Sequence, residues 1–125
     1  MLILVSRGEV LLEKRPALGI WGGLWSFPET SEDRIEPAAR RYGVQLNRVS
    51  ALAPLDHGFT HFKLRIRPIL AHVVRQEGAE EPGRLWLTVG DALGAAVPAP
   101  VKRILRELRR TAQLTRPLVG TAEKV

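Results

Sequence analysis

The sequence predicts a layered α+β or α/β sandwich in which a mixed β-sheet is covered by two helices. Three observations carry that expectation. Residues 62–67, Phe-Lys-Leu-Arg-Ile-Arg, alternate apolar and basic side chains with the two-residue period of a strand. Val101, Ile104, Leu105 and Leu108 recur at helical spacing and form an apolar stripe. The segments run strands, helix, strands, helix with no internal repeat, and 125 residues fit one domain.

Taken in order, residues 2–5 are an apolar run, Ser6-Arg7-Gly8 is a turn signal and residues 10–12 are apolar again, which reads as a hairpin. The chain starts inside this first strand, as expected of a piece cut from something longer. Residues 16–29 carry three glycines, two prolines, two tryptophans and a phenylalanine, with neither helical nor strand period. Glycine permits sharp turns there while the rings anchor the loop, which is either a structural pin or a ligand-facing surface. Thr30-Ser31-Glu32-Asp33 is a helix start, predicting a helix over residues 31–42 with Gly43 as its stop and Pro37 delaying or kinking it.

Residues 49–55 read as a strand. In the 62–67 segment Phe62, Leu64 and Ile66 face one way, and Lys63, Arg65 and Arg67 the other. Pro68 implies a bulge or an edge position before the strand resumes over residues 69–74. A polar loop (76–83), a short strand (85–87), a turn or short helix (88–92) and a small-residue linker (94–100) follow. The strongest helix spans 101 to about 111, filled out by Lys102, Arg103, Arg106, Arg109 and Arg110, and residues 115–125 are expected to be a flexible tail.

Composition narrows the function. Apolar residues make up 45% and charged residues 26%, which excludes disordered and collagen-like classes. The absence of cysteine excludes disulfides, an iron–sulfur cluster and a thiolate zinc site within this chain. No apolar run approaches a membrane span and the N-terminus lacks a basic region before its apolar residues, so a cytoplasmic location without membrane association is expected. The net charge of +6 points to an anionic partner. His57 and His61 would share a face only on a helix, which Gly58 and the following strand oppose, so no metal pair is expected.

One frame invites a chemical test. Gly23 and Glu29, followed by a helix ending at Gly43-Val44, outline the signature of Nudix pyrophosphohydrolases, whose clustered carboxylates hold magnesium against a diphosphate. Counting forward from Glu29, the Arg-Glu positions hold Pro37-Ala38 and the Glu-Glu positions Arg41-Tyr42. Counting back from Gly43, they hold Glu36-Pro37 and Arg40-Arg41. Either way the paired carboxylates are missing, and a cation in their place repels a divalent metal. No catalytic residue and no metal ligand is assigned.

The stretches Leu11-Leu12-Glu13-Lys14-Arg15-Pro16, Gly19-Ile20-Trp21-Gly22-Gly23-Leu24-Trp25-Ser26-Phe27-Pro28-Glu29, His57-Gly58-Phe59-Thr60-His61-Phe62, and Leu85-Trp86 with Pro98-Ala99-Pro100-Val101 occur in that order. Together they resemble the C-terminal domain of the A/G-specific adenine DNA glycosylases, the MutY family. The resemblance implies an α+β fold, a Nudix (MutT)-like α/β/α sandwich with a mixed sheet flanked by two helices, over residues 1–114. It implies a non-catalytic domain that reads 8-oxoguanine opposite adenine in double-stranded DNA during base excision repair. The partner would be the family's N-terminal catalytic domain, which usually carries an iron–sulfur cluster; no cofactor is expected in this domain. A monomer at the nucleoid is expected.

By the same resemblance, Phe59, Thr60 and His61 form the loop that reads the lesion. In 8-oxoguanine N7 bears a hydrogen and C8 a carbonyl, reversing what guanine presents in the major groove. The Thr60 hydroxyl would accept from N7–H; His61 or backbone N–H groups would donate to O8 or to phosphate; Phe59 would wedge beside the base or anchor the loop. Lys63, Arg65 and Arg67 are candidate phosphate contacts. The alternatives are a stand-alone Nudix-type nucleotide pyrophosphohydrolase with an atypical metal site, and a degenerate module serving protein contact alone.

Overall fold

A computed structural model describes residues 1–76 and 81–124, with side chains through residue 111. The first hairpin joins β1 (Leu2–Ser6) to β2 (Glu9–Lys14) through Arg7 and Gly8, whose φ values of 51° and 78° make the two-residue turn that suits strand twist. After the tryptophan-rich loop come β3 (Trp25–Ser26), a 3₁₀ turn (Glu32–Arg34) and α1 (Ile35–Arg41). Pro37 does not kink α1. It sits in the first turn, where a backbone N–H has no intrahelical acceptor. Gly43, at φ 68°, ends the helix as expected, its N–H donating to the Arg40 carbonyl at 3.2 Å.

Next come β4 (Val44–Ala51), β5 (Leu55–Gly58), β6 (Lys63–Ile66), β7 (Ile69–Arg75), β8 (Arg84–Thr88), α2 (Val89–Leu93) and α3 (Ala99–Lys124). The main sheet has the order β3-β2-β1-β7-β4, with β8 pairing β2 along Glu9–Glu13. β1 and β7 are parallel and the other pairs antiparallel, so the sheet is mixed as expected.

Because successive strand residues point to opposite faces, β1 feeds both sides. Leu2 and Leu4 pack with Leu11, Ala71 and the α1 residues Ala38 and Ala39. Ile3 packs with Val10, Leu12, Phe27, Ala92 of α2, and Val101, Ile104 and Leu105 of α3. Both faces are therefore covered, which is why β1 and β2 read as continuous apolar runs rather than as an alternation.

Three expectations change. β4 begins at Val44, not near residue 49, because Val44, Gln45 and Leu46 pair with Arg75, Val74 and Val73 before the register shifts at Leu46/Arg48. Pro68 lies neither in a bulge nor on an edge; it separates β6, in a two-stranded sheet with β5, from β7 in the main sheet. Its carbonyl accepts from the Leu52 N–H at 3.0 Å. α3 continues past residue 111 to Lys124, through most of the stretch read as a tail, and no glycine or proline interrupts the sequence between Val101 and Arg116. Of the polar loop expected over 76–83, residues 77–80 lie outside the described residues, as does residue 125.

Candidate functional site

The lesion-reading candidates occupy the end of the β5–β6 hairpin. Asp56 pairs with Arg65, His57 with Leu64 and Gly58 with Lys63. The connection is closed by the Phe59 N–H donating to the Phe62 carbonyl at 2.7 Å. Thr60 and His61 stand exposed at the tip, and neither side chain is engaged by another described residue. Phe59 is half-buried and stacks on Phe62 with ring centroids 4.6 Å apart and 20° between planes. Phe62, at 49% exposed, covers Phe59 from the solvent side and is not a core residue.

A second segment completes the site. Trp21 meets the edge of His57 at 5.7 Å and Phe59 at 5.8 Å, and His57 meets Phe59 edge-on at 4.8 Å. Such ring pairs contribute about 0.5–1.5 kcal/mol each beyond the area they bury. Trp21 reaches them because its loop doubles back: Gly19 and Gly23 adopt φ 101° and 77°, and Trp21 itself sits at φ 55°. The loop is held by the Gly23 N–H donating to the Pro16 carbonyl at 3.2 Å and Arg15 Nε donating to the Ile20 carbonyl at 2.9 Å. Trp21 and His57 are not assigned to the lesion-reading loop by the sequence: Trp21 stands in a loop read as either a structural pin or a ligand-facing surface, His57 is considered only as half of a metal pair, and both lie in the stretches that carry the family resemblance.

Directly opposed residues of an antiparallel pair share a face. His57 and Leu64 thus lie on one side of the hairpin, and Asp56, Arg65 and Lys63 on the other. The hairpin is aromatic on one face and basic on the other, with Thr60 and His61 where the faces meet. Arg65 is partly neutralised by Asp56 at 3.3 Å, whereas Lys63 faces a glycine. Lys63 and Arg67 have no carboxylate partner among the described residues. Arg103 of α3 extends this surface, lining a cleft of about 110 Å³ with Leu55, Asp56 and His57.

The Nudix frame lies elsewhere, around a cavity lined in part by Glu13, Arg15, Glu29, Arg41 and Arg84. Its residues do not fit a magnesium cage. Glu29 binds Arg15 at 2.9 Å, while Glu13 accepts from the Tyr42 hydroxyl at 2.9 Å and lies 3.6 Å from Arg84. Glu36 of α1 is exposed beside Arg40. Among the described residues, no three His, Asp or Glu side chains come together as a metal-holding group. None of the helices described is long and apolar enough to cross a membrane.

A family profile described as a NUDIX domain matches residues 1–107. The chain is 24% identical over 111 residues to the adenine DNA glycosylase of Buchnera aphidicola subsp. Baizongia pistaciae, a match covering 87% of this chain and 32% of that protein. It is 30% identical over 118 residues to the adenine DNA glycosylase of Mus musculus, covering 86% of this chain and 23% of that protein. The chain therefore spans less than a third of either relative's length.

Among solved structures, the C-terminal domain of mouse MUTYH, in its complex with human PCNA, superposes with a TM-score of 0.65 at 24% identity, covering 88% of this chain and 86% of that one. A MutT NUDIX hydrolase from Burkholderia pseudomallei gives 0.59 at 24% identity, covering 84% and 92%. At these identities the likeness is one of fold.

Proposed function

The chain belongs to the NUDIX domain family, and from that premise we propose that it is the non-catalytic lesion-recognition domain of an adenine DNA glycosylase. The observation that carries the reading is the presentation of Thr60 and His61: two unengaged polar side chains at an exposed tip whose base is clamped by Trp21, His57, Phe59 and Phe62. A reader of base edges needs polar groups free to pair, on a support rigid enough to hold their positions. Similarity to adenine DNA glycosylases over most of the chain supports the assignment.

In this reading the Thr60 hydroxyl accepts the N7 hydrogen of 8-oxoguanine, and His61 or a neighbouring backbone N–H donates to O8. Guanine lacks O8 and forfeits the second contact, while the Thr60 hydroxyl can turn to donate to its N7, so discrimination rests mainly on the donor to O8; leaving a desolvated polar group unpaired costs about 1–3 kcal/mol. Phe59 serves as anchor, since three rings surround it. Lys63 and Arg67 meet backbone phosphates, and Arg65 does so in competition with Asp56. The chain acts as a monomer on double-stranded DNA at the nucleoid. Adenine excision, and the iron–sulfur cluster, belong to a separate catalytic domain. A pyrophosphohydrolase is not favoured, because α1 carries Arg40 and Arg41 where the metal carboxylates would stand.

Fluorescence anisotropy with duplexes containing 8-oxoguanine:A or G:A tests this directly. The chain is expected to bind weakly, to prefer the lesion duplex and to release no adenine. His61→Ala should reduce the preference by about 5- to 100-fold, corresponding to one lost hydrogen bond, and Thr60→Ala should reduce it by less, because its hydroxyl can also donate to N7 of guanine. An undiminished preference in both variants would remove the assignment of the loop.

A further inference from the structure

The mismatch between the Nudix frame and a magnesium cage has its own chemistry. A solvent-facing cavity of about 460 Å³ is bordered by Glu13, Arg15, Glu29, Arg41, Tyr42 and Arg84. Each carboxylate is already satisfied: Glu29 by Arg15 at 2.9 Å, and Glu13 by the Tyr42 hydroxyl at 2.9 Å with Arg84 at 3.6 Å. Two guanidinium groups lie against the Tyr42 ring, Arg84 at 4.5 Å and Arg41 at 5.1 Å from its centroid. Arg84 also donates to the Arg41 main-chain carbonyl at 3.4 Å, tying β8 to the end of α1. Arg41 has no carboxylate partner among the described residues, and neither does Lys14, which also lines the cavity. The lining thus carries surplus positive charge next to an aromatic brace.

The geometry points to a metal-independent site for a phosphate anion, either a free diphosphate or a DNA backbone phosphate, in which Arg41 and Lys14, the lining cations without a carboxylate partner among the described residues, supply the charge that a hydrolase obtains from magnesium, and Arg84 braces Tyr42. Guanidinium forks match phosphate oxygens bidentately, need no metal and remain charged at any physiological pH. With Glu13 and Glu29 both engaged, no carboxylate in this lining is free to activate a water. The site binds without cleaving. The inference stands apart from the 59–62 loop and does not depend on the lesion-reading assignment.

The test is an NMR titration of the chain with sodium pyrophosphate in EDTA at constant ionic strength. Tyr42 is the chain's one tyrosine, so its ring signals report the cavity without ambiguity. A saturable shift of those signals is expected without metal. Arg41→Glu, at an exposed position, should weaken it about tenfold or more, while Arg41→Lys keeps the charge and loses only part of the affinity. Thermal melts of both variants check that they fold, and Thr60→Ala should leave the titration unchanged.

Parallel titrations with ADP and with an undamaged duplex separate the two sources of phosphate. If Arg41→Glu weakens ADP alone, the ligand is a free diphosphate; if it also weakens the duplex, the cavity seats a backbone phosphate. No saturable shift at millimolar pyrophosphate, a shift appearing only with magnesium, or equal affinity in Arg41→Glu would each overturn the proposal.

Discussion

A methyl group on Gly22 would lie 2.2 Å from the Ala17 carbonyl oxygen and 2.8 Å from its carbon. Both are backbone atoms in a loop held by several hydrogen bonds, so the clash has no cheap escape. Gly22→Ala is expected to cost about 2–3 kcal/mol in urea denaturation and to loosen Trp21 from His57, visible as a red-shifted tryptophan emission. Tyr42 makes a different prediction. Burial, and then the hydrogen bond to Glu13, hold its phenol above the ordinary value of 10.0. The folded state therefore keeps the proton longer than the unfolded chain. The resulting stabilisation is fully present below pH 10.0 and is lost as pH rises through the folded value. Unfolding free energies measured across alkaline pH should fall more steeply for the parent than for Tyr42→Phe, which gives up about 1 kcal/mol at neutral pH.

At the scale of elements, the β5–β6 hairpin presents two chemically different faces and a polar tip. Its basic side was legible, because Lys63, Arg65 and Arg67 alternate with apolar residues and a two-residue period places them together. Their inequality was not legible, since Asp56 reaches Arg65 only across the strand pair. Lys63→Ala and Arg67→Ala should each lower the slope of log affinity against log salt by about 1 for duplex DNA, with similar losses on lesion and undamaged sequence. Arg65→Ala should change it less, its charge being already shared. Equal slopes for all three variants and the parent would remove these side chains from the phosphate contacts. The end of α1 shows the same limit: its arginines are local features that sequence reveals, whereas the partners of Tyr42 are not. Arg84 comes from β8 and Glu13 from β2, and only the sheet brings them to the helix end.

At the scale of the whole molecule, the mixed sheet with α1 on one face and α2 with α3 on the other follows from patterns a few residues long. The Arg7-Gly8 turn, the alternation of residues 62–67 and the stripe from Val101 to Leu108 each state a local preference that the fold satisfies. Helix length and strand boundaries were less accessible, because β4 is defined by its register with β7 and α3 by the absence of a stop near residue 111. Periodicity and turn residues, which are properties of neighbours along the chain, carried the fold class, and the lack of paired carboxylates behind Glu29 is read from the sequence in the same way, whereas the Phe59-Thr60-His61 loop was singled out by resemblance to the MutY family. Tertiary structure alone decided that Trp21 clamps His57 and Phe59, and that Arg41 and Arg84 converge on Tyr42. Except for the neighbours Arg41 and Tyr42, those contacts join residues far apart in the chain, and contacts between rings, or between a guanidinium and a ring, leave no periodic trace in a sequence.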